Sequence, residues 1–196
     1  MARKGRAYHH GNLRAALIEN GLKIVEEKGV RALTLREIGS LAGVSRMAAY
    51  RHFANKHDLI CAIAEAGFHE FADALATATQ SAAPDFGSRM SAMFAAYLKF
   101  AREHRAYYDV MFDAEELGDE TQAPRDSEGA RAFAILAGTI REGQESGDVR
   151  EGDPDALARF VWSTVHGIST LHFDQDAGFM ELSEELIRAA LAPPKL

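Results

Sequence analysis

The chain has 196 residues, 47% of them hydrophobic, with a net charge of −7 and a pI near 5.6. That length fits one generous domain or a small domain joined to a larger one, with enough apolar content for a core. No run of 18 apolar residues offers a transmembrane helix, MARKGRAYHHGN has no apolar stretch behind its charges to form a signal peptide, and the single Cys61 has no partner for an internal disulfide, so a cytoplasmic protein is expected. Cys61 itself reads as a small buried hydrophobe on a helix. The charge is segregated. Residues 1–60 carry eleven Lys and Arg against five acids, a net of +6, while the other 136 residues carry −13. This describes a basic head on an acidic body.

Helix formers dominate and sustained period-2 alternation is missing, so the expected class is all-α, with about nine helices. The first helix spans residues 12–28, with Leu13, Leu17, Ile18, Leu22 and Val25 on one face, Asn12 as its N-cap and Gly29 as its stop. Thr34 followed three residues later by Glu37 is a capping-box pattern opening a short helix with Leu35, Ile38, Leu41 and Ala42 inward. Gly43 supplies a turn, Val44 plugs it into the core, and Ser45 caps a second short helix. In that helix Ala49 and Phe53 face in, while Arg46, Met47, Tyr50 and Arg51 share the opposite face. A long helix follows over 56–80, then others over 86–103, 104–112, 130–146, 154–173 and 181–192. Residues 113–129, acidic and rich in breakers, read as an exposed loop, and the last five residues as a frayed end.

Two short helices joined by a tight glycine turn, with cations displayed on the second, form a helix-turn-helix whose second helix enters the DNA major groove. Arg46 suits bidentate bonding to guanine, and Met47 suits contact with a thymine methyl. Tyr50, His52 and Lys56 fall where the helix passes the phosphate backbone, Thr34, Arg36 and Ser45 reach it from the helix starts, and Arg51 adds charge to the same face. Arg3, Lys4 and Arg6 form an arm for the backbone or minor groove.

These residues carry a resemblance. GVRALTLREIGSLAGVSRMAAYRHFANKHDLI resembles the DNA-binding domain of the tetracycline-repressor (TetR) family of transcriptional regulators, through Gly43-Val44-Ser45, Tyr50, His52, Phe53 and Lys56. YHHGNLRAALIENGL and FVWSTVHGIST, with Trp162, His166 and Gly167, resemble a subgroup named for a Trp-His-Gly C-terminal domain, and HRAYYDVMF resembles a segment found ahead of it. Two departures stand out: Ala48-Ala49 where many relatives have threonine or glycine nearby, and Gly39 where alanine is usual. The resemblance implies a DNA-binding domain over residues 1–55 and a helical effector-binding and dimerisation domain over 56–196. It also implies a homodimer through the last two helices, a pseudo-palindromic double-stranded DNA operator, and release of a repressor by a small-molecule effector.

The last two helices allow such pairing. Leu157, Phe160, Val161, Val165, Ile168 and Leu171, with Leu182, Leu186, Ile187 and Leu191, offer more apolar surface than one face needs. The candidate effector lining is Met93, Phe94, Tyr97, Tyr107, Met111, Phe133, Leu136, Ile140, Trp162 and His166, each of which is alternatively ordinary core. No HExxH, CxxC, P-loop, GxSxG or dinucleotide fingerprint points to an enzyme, and no cofactor or metal is expected; His9-His10 are weak ligands on an arm. The alternative reading is a helical protein-interaction module with no DNA role, which the charge split and the displayed Arg46, Tyr50 and Arg51 disfavour.

Overall fold

Side-chain caps mark the helix starts in the computed structural model, which describes residues 13–113 and 127–194. Among the described residues there are nine α-helices and no strand: α1 Leu13–Lys28, α2 Leu35–Leu41, α3 Arg46–Tyr50, α4 Lys56–Ser81, α5 Phe86–Glu103, α6 Arg105–Met111, α7 Glu128–Ser146, α8 Pro154–Thr170 and α9 Ala177–Leu191. Thr34, Ser45, Asp85, Ser127, Asp153 and Asp176 each accept a backbone N–H from the first turn of the helix they precede, which satisfies donors that have no intrahelical partner. α4 has a reciprocal version: Asn55 Oδ1 accepts from Asp58 N at 2.9 Å while Asp58 Oδ2 accepts from Ala54 N at 3.0 Å. The expected Asn12 cap, the basic arm with Arg3, Lys4 and Arg6, His9-His10 and most of the acidic 113–129 segment lie outside the described residues.

Among the described residues two compact units emerge, the first of residues 13–64 with 106–113 and the second of 65–105 with 127–194. In the first, Leu17, Ile24, Leu33, Ile38, Ala49, Phe53, Leu59, Ile60 and Ile63 are all but fully buried. The opening turns of α4 belong here because Ile63 packs against α1 at Gly21, where any β-carbon would lie 2.8 Å from Ile63 Cδ1. Two details of this unit differ from expectation. α2 stops at Leu41, and Leu41 is exposed rather than inward, because it lies roughly 90° round the helix from the Leu35, Ile38 and Ala42 side at 100° per residue. The capping box is half formed: Thr34 Oγ1 accepts from Glu37 N at 3.2 Å, but the Glu37 carboxylate takes Lys28 Nζ at 2.6 Å and so ties α2 to the end of α1.

The second unit stacks α5, α7, α8 and α9 with the remainder of α4. Its centre is aromatic: Phe71 meets Tyr97 edge-on at 5.0 Å, Phe100 at 5.0 Å and Trp162 edge-on at 5.8 Å, geometries that match ring edges to ring faces. α7 passes close to the start of α5 only because residue 143 is glycine; a β-carbon there would lie 2.6 Å from both Phe86 and Val149. Exposed ion pairs fix which helix faces meet: Arg131 on α7 reaches Asp73 at 2.7 Å and the His69 carbonyl at 3.0 Å on α4, and Arg89 on α5 reaches Glu142 on α7 at 2.5 Å. Hydrogen bonding from Arg131 holds the Asp73 and Glu128 carboxyls below their ordinary range. α8 ends at Thr170, short of the expected 173, as His172 turns into the left-handed region at φ 58. α9 starts at 177 rather than 181 because Asp176 Oδ1 accepts from Phe179 N at 3.0 Å.

Candidate nucleic-acid interface and apolar cavity

α3 has five residues, too few to stand as an isolated helix. What holds it is its buried side. Ala49 is fully buried, and Ala48 and Phe53 nearly so, and Gly39 on α2 faces Ala49, where a β-carbon at 39 would make contact with Ala49 Cβ at 3.4 Å. The alanine pair and the glycine, departures in sequence, are thus the surfaces through which α2 and α3 meet. Ser45 Oγ accepts from Ala48 N at 3.2 Å at one end. Gly43 takes φ +67 in the turn, in the region where a side chain would be strained.

With that side buried, the other is displayed. Arg46 and Arg51 are exposed, Met47 is 72% exposed and Tyr50 39%. The Arg46 guanidinium lies over the Tyr50 ring at 5.2 Å, a cation–π contact one helical turn apart. Thr34, Arg36, Ser45 and His52 are also exposed. Lys56 is half-buried, and its Nζ donates to the Arg31 carbonyl at 3.3 Å, which holds it near the start of α2. Arg14 stacks its guanidinium on the Phe53 ring at 5.4 Å. The displayed face therefore carries cations, an aromatic ring and one flexible apolar tip, the side-chain types that bond guanine edges, stack, and touch thymine methyls. Leu41 on α2 is a further exposed apolar side chain, 56% exposed.

The second unit contains an apolar cavity of about 20 Å³, lined by Leu75, Met90, Met93, Phe94, Tyr97, Leu136, Val161, Trp162 and Val165. That is room for about one water. Of the expected lining, Met93, Phe94, Tyr97, Leu136 and Trp162 are brought together here. His166 joins them through Tyr97, whose hydroxyl is hydrogen-bonded to Nδ1 at 3.0 Å. Phe133 is adjacent, its ring 6.1 Å from Trp162. Ile140 is fully buried in the same unit but is not on this lining, and Tyr107 and Met111 fall in the first unit. Leu75, Met90, Val161 and Val165 complete the wall beyond expectation; aliphatic core residues give no signal in a sequence that separates a cavity wall from packed interior.

Burial pushes the His166 imidazole below its ordinary value of 6.5. The unfolded chain then takes up a proton that the folded protein refuses, so stability is full above that ordinary value and is lost as pH falls through the folded one. The urea midpoint should drop between pH 7.5 and 5.5, and the His166→Gln variant should drop less over the same interval; equal drops would assign the effect to other histidines.

α8 carries a second stripe on its far side. Phe160, Thr164, Gly167 and Leu171 follow at helical spacing; Phe160 and Leu171 are exposed, and a β-carbon at Gly167 would meet nothing within 4 Å. Phe179, Leu182 and Leu186 form a matching exposed stripe on α9. Val161, Val165, Ile168, Ile187 and Leu191, expected to contribute to the same apolar surface, are buried within the chain. Among the described residues no helix is long and apolar enough to cross a membrane, and no group of three His, Cys, Asp or Glu is placed to hold a metal ion.

Comparison with known proteins places these features. Residues 17–63 match the family described as bacterial regulatory proteins, tetR family, and residues 90–192 match the tetracyclin repressor-like C-terminal domain. Over 68 residues the chain is 43% identical to the HTH-type transcriptional regulator TtgR of Pseudomonas putida; the matched segment is 35% of this chain and 32% of that protein. The structure of a protein of unknown function from a Rhodococcus species superposes with a TM-score of 0.79 at 29% identity, covering 95% of this chain and 99% of that one. The TetR-family transcriptional regulator PfmR of Thermus thermophilus shares the fold at 20% identity and a TM-score of 0.68, covering 92% and 96%. With a helix-turn-helix match at one end and a C-terminal domain match spanning more than half of its length, the chain belongs to the TetR family of bacterial regulatory proteins.

Proposed function

We propose that this TetR-family transcriptional regulator is a homodimeric repressor that binds a pseudo-palindromic DNA operator and leaves it when a small-molecule effector occupies the apolar cavity. The family is one of regulatory DNA-binding proteins rather than enzymes. The single observation that carries the reading is the two-sided α3: Ala48 and Ala49 buried against α2, Arg46, Met47, Tyr50 and Arg51 turned to solvent. A protein-interaction module has no need of a cation-rich face on a helix this short.

Residues 1–55 take the DNA-binding role and 56–196 the effector-binding and dimerisation role, with α4 shared between them. Arg46 and Met47 read base edges. Thr34, Arg36, Ser45, Tyr50, Arg51, His52 and Lys56 serve the phosphates, which supply most of the affinity. Dimerisation uses the exposed stripes of α8 and α9, and binding to two half-sites one DNA turn apart requires the two α3 helices about 34–36 Å apart. The Trp-His-Gly subgroup is supported by the placement of its three residues: Trp162 lines the cavity, His166 is bonded to a cavity residue, and Gly167 lies on the open stripe. The protein acts on DNA in the cytoplasm. Effector action is a population shift: the ligand must prefer the arrangement of the two DNA-binding domains that does not fit the operator.

Capture of genomic fragments by the purified protein, followed by sequencing, tests the reading. A shared inverted repeat among the captured fragments, with affinity that falls steeply as salt rises, is expected. Fragments with no common motif, or binding to protein partners that salt leaves unchanged, would instead favour the protein-interaction module.

A further inference from the structure

We infer that the effector is an uncharged, largely apolar molecule with a single hydrogen-bonding group, which displaces Met90 and Met93 and takes over the bond between Tyr97 and His166. This rests on the cavity being the effector site.

Three observations lead there. Among the described residues the wall holds no Lys, Arg, Asp or Glu, and beyond Met90 the Glu184 and Arg188 side chains pair with each other at 3.1 Å, so an ionised ligand would lose its hydration and have to break that pair to find a counter-charge. The cavity of about 20 Å³ is far below the roughly 300 Å³ that a small-molecule pocket needs, so the wall must yield. Its most yielding members are the two α5 methionines, unbranched side chains that repack around differently shaped guests. Trp162, Tyr97 and Phe71 are interlocked edge to face and have less freedom.

Among the described residues, the side-chain polarity of the wall is the Trp162 indole N–H and the Tyr97 hydroxyl with its His166 partner, and only the second place both donates and accepts. The Tyr97 hydroxyl sits 3.0 Å from His166 Nδ1, and the Thr170 hydroxyl sits 3.4 Å from Nε2 of the same ring. A ligand hydroxyl that accepts from one member of the Tyr97–His166 pair and donates to the other keeps both paired at little net cost, whereas a ligand with several polar groups leaves the others unpaired. One hydroxyl per ligand is what that pair accommodates.

Trp162 is the only tryptophan in the chain, so its emission reports on the cavity wall directly. The test is a titration of the full chain with 4-tert-butylphenol, tert-butylbenzene, 4-tert-butylbenzoate and 4-tert-butylbenzylammonium, four probes of one shape. The phenol should shift Trp162 emission saturably, the hydrocarbon should bind more weakly, and the two ions should have no effect at the same concentrations. In Tyr97→Phe the phenol should lose its advantage over the hydrocarbon, about 3- to 10-fold for one hydrogen bond. A benzoate or ammonium ion that binds as tightly as the phenol overturns the inference. So does a neutral series that leaves Trp162 emission unchanged up to its solubility limit. Operator release, followed in parallel, separates the two claims. A phenol that binds without freeing DNA supports the ligand class and sinks the effector role, whereas release by ions alone keeps the effector role and overturns the class.

Discussion

Replacing Arg46 by alanine is expected to cut the preference for operator over random DNA by about 10- to 100-fold while leaving random-sequence binding nearly unchanged. A bidentate pair to a guanine edge is worth about that much discrimination. Lys56→Ala should behave in the opposite way, weakening binding to every sequence alike and lowering the salt dependence by about one phosphate contact. The structure supplies the reason for the contrast. Arg46 opens α3 on its displayed side, whereas Lys56 opens α4, with its ammonium held by the Arg31 carbonyl at 3.3 Å beside the start of α2. Tyr50 divides its own contribution. Its hydroxyl suits a phosphate; its ring is the platform on which the Arg46 guanidinium lies at 5.2 Å. Tyr50→Phe should therefore lose affinity and keep discrimination, whereas Tyr50→Leu should lose both. Gel-shift titrations on operator and random duplexes over a range of salt concentrations check all four variants. Equal losses on both duplexes for Arg46→Ala and Lys56→Ala would remove the assigned roles.

What is legible in the sequence is local. A helix N-cap is a contact across three residues, so Thr34, Ser45 and Asp153-Pro154 announce their helices without knowledge of anything distant. The displayed face of α3 is equally accessible, since one helical turn places Arg46 beside Tyr50 whatever surrounds them. Leu41 and Ala42 are both apolar at the end of α2, and composition alone does not separate them; their angular positions relative to Leu35 and Ile38 do, with Ala42 buried and Leu41 exposed. Where expectation and structure otherwise part, a long-range contact decides. Glu37 has the spacing of the second half of a capping box, yet Lys28, nine residues back, claims its carboxylate. On α8 the hydrophobic pattern runs round much of the helix, so hydropathy has no means of telling the Val161 and Val165 wall from the Phe160 and Leu171 stripe. The cavity poses the same problem: Tyr97, Trp162 and His166 draw notice by their chemistry, while Met90, Leu75 and the two valines are the same kind of residue as the core around them.

The difference between the two sides of α8 and α9 makes the proposed dimerisation testable apart from folding, and Leu186→Glu is expected to be a folded monomer. Leu186 is 58% exposed in the single chain, whereas Ile187 and Leu191 on the same helix are buried and hold α9 in place. In solution as a monomer, a glutamate at 186 costs little, since surface substitutions away from packed sites usually change stability by under about 0.5 kcal/mol. In a two-fold interface the substitution enters twice, because the same patch meets itself. Each carboxylate is then buried without a partner, at about 3 kcal/mol or more apiece. Together they weaken pairing by on the order of 10⁴-fold or more. Sedimentation should find a monomer at micromolar concentration with an unchanged helical circular dichroism spectrum. Operator affinity should collapse alongside, since a lone α3 engages one half-site and forfeits the local concentration that tethering gives the second. Ile187→Ala is the control with the opposite signature: a buried aliphatic truncation that costs about 2–5 kcal/mol of fold stability and lowers the urea midpoint, with little direct effect on the exposed stripe. Should Leu186→Glu remain dimeric at micromolar concentration, the α8 and α9 stripes are not the interface, and the two-half-site geometry must be built from another surface.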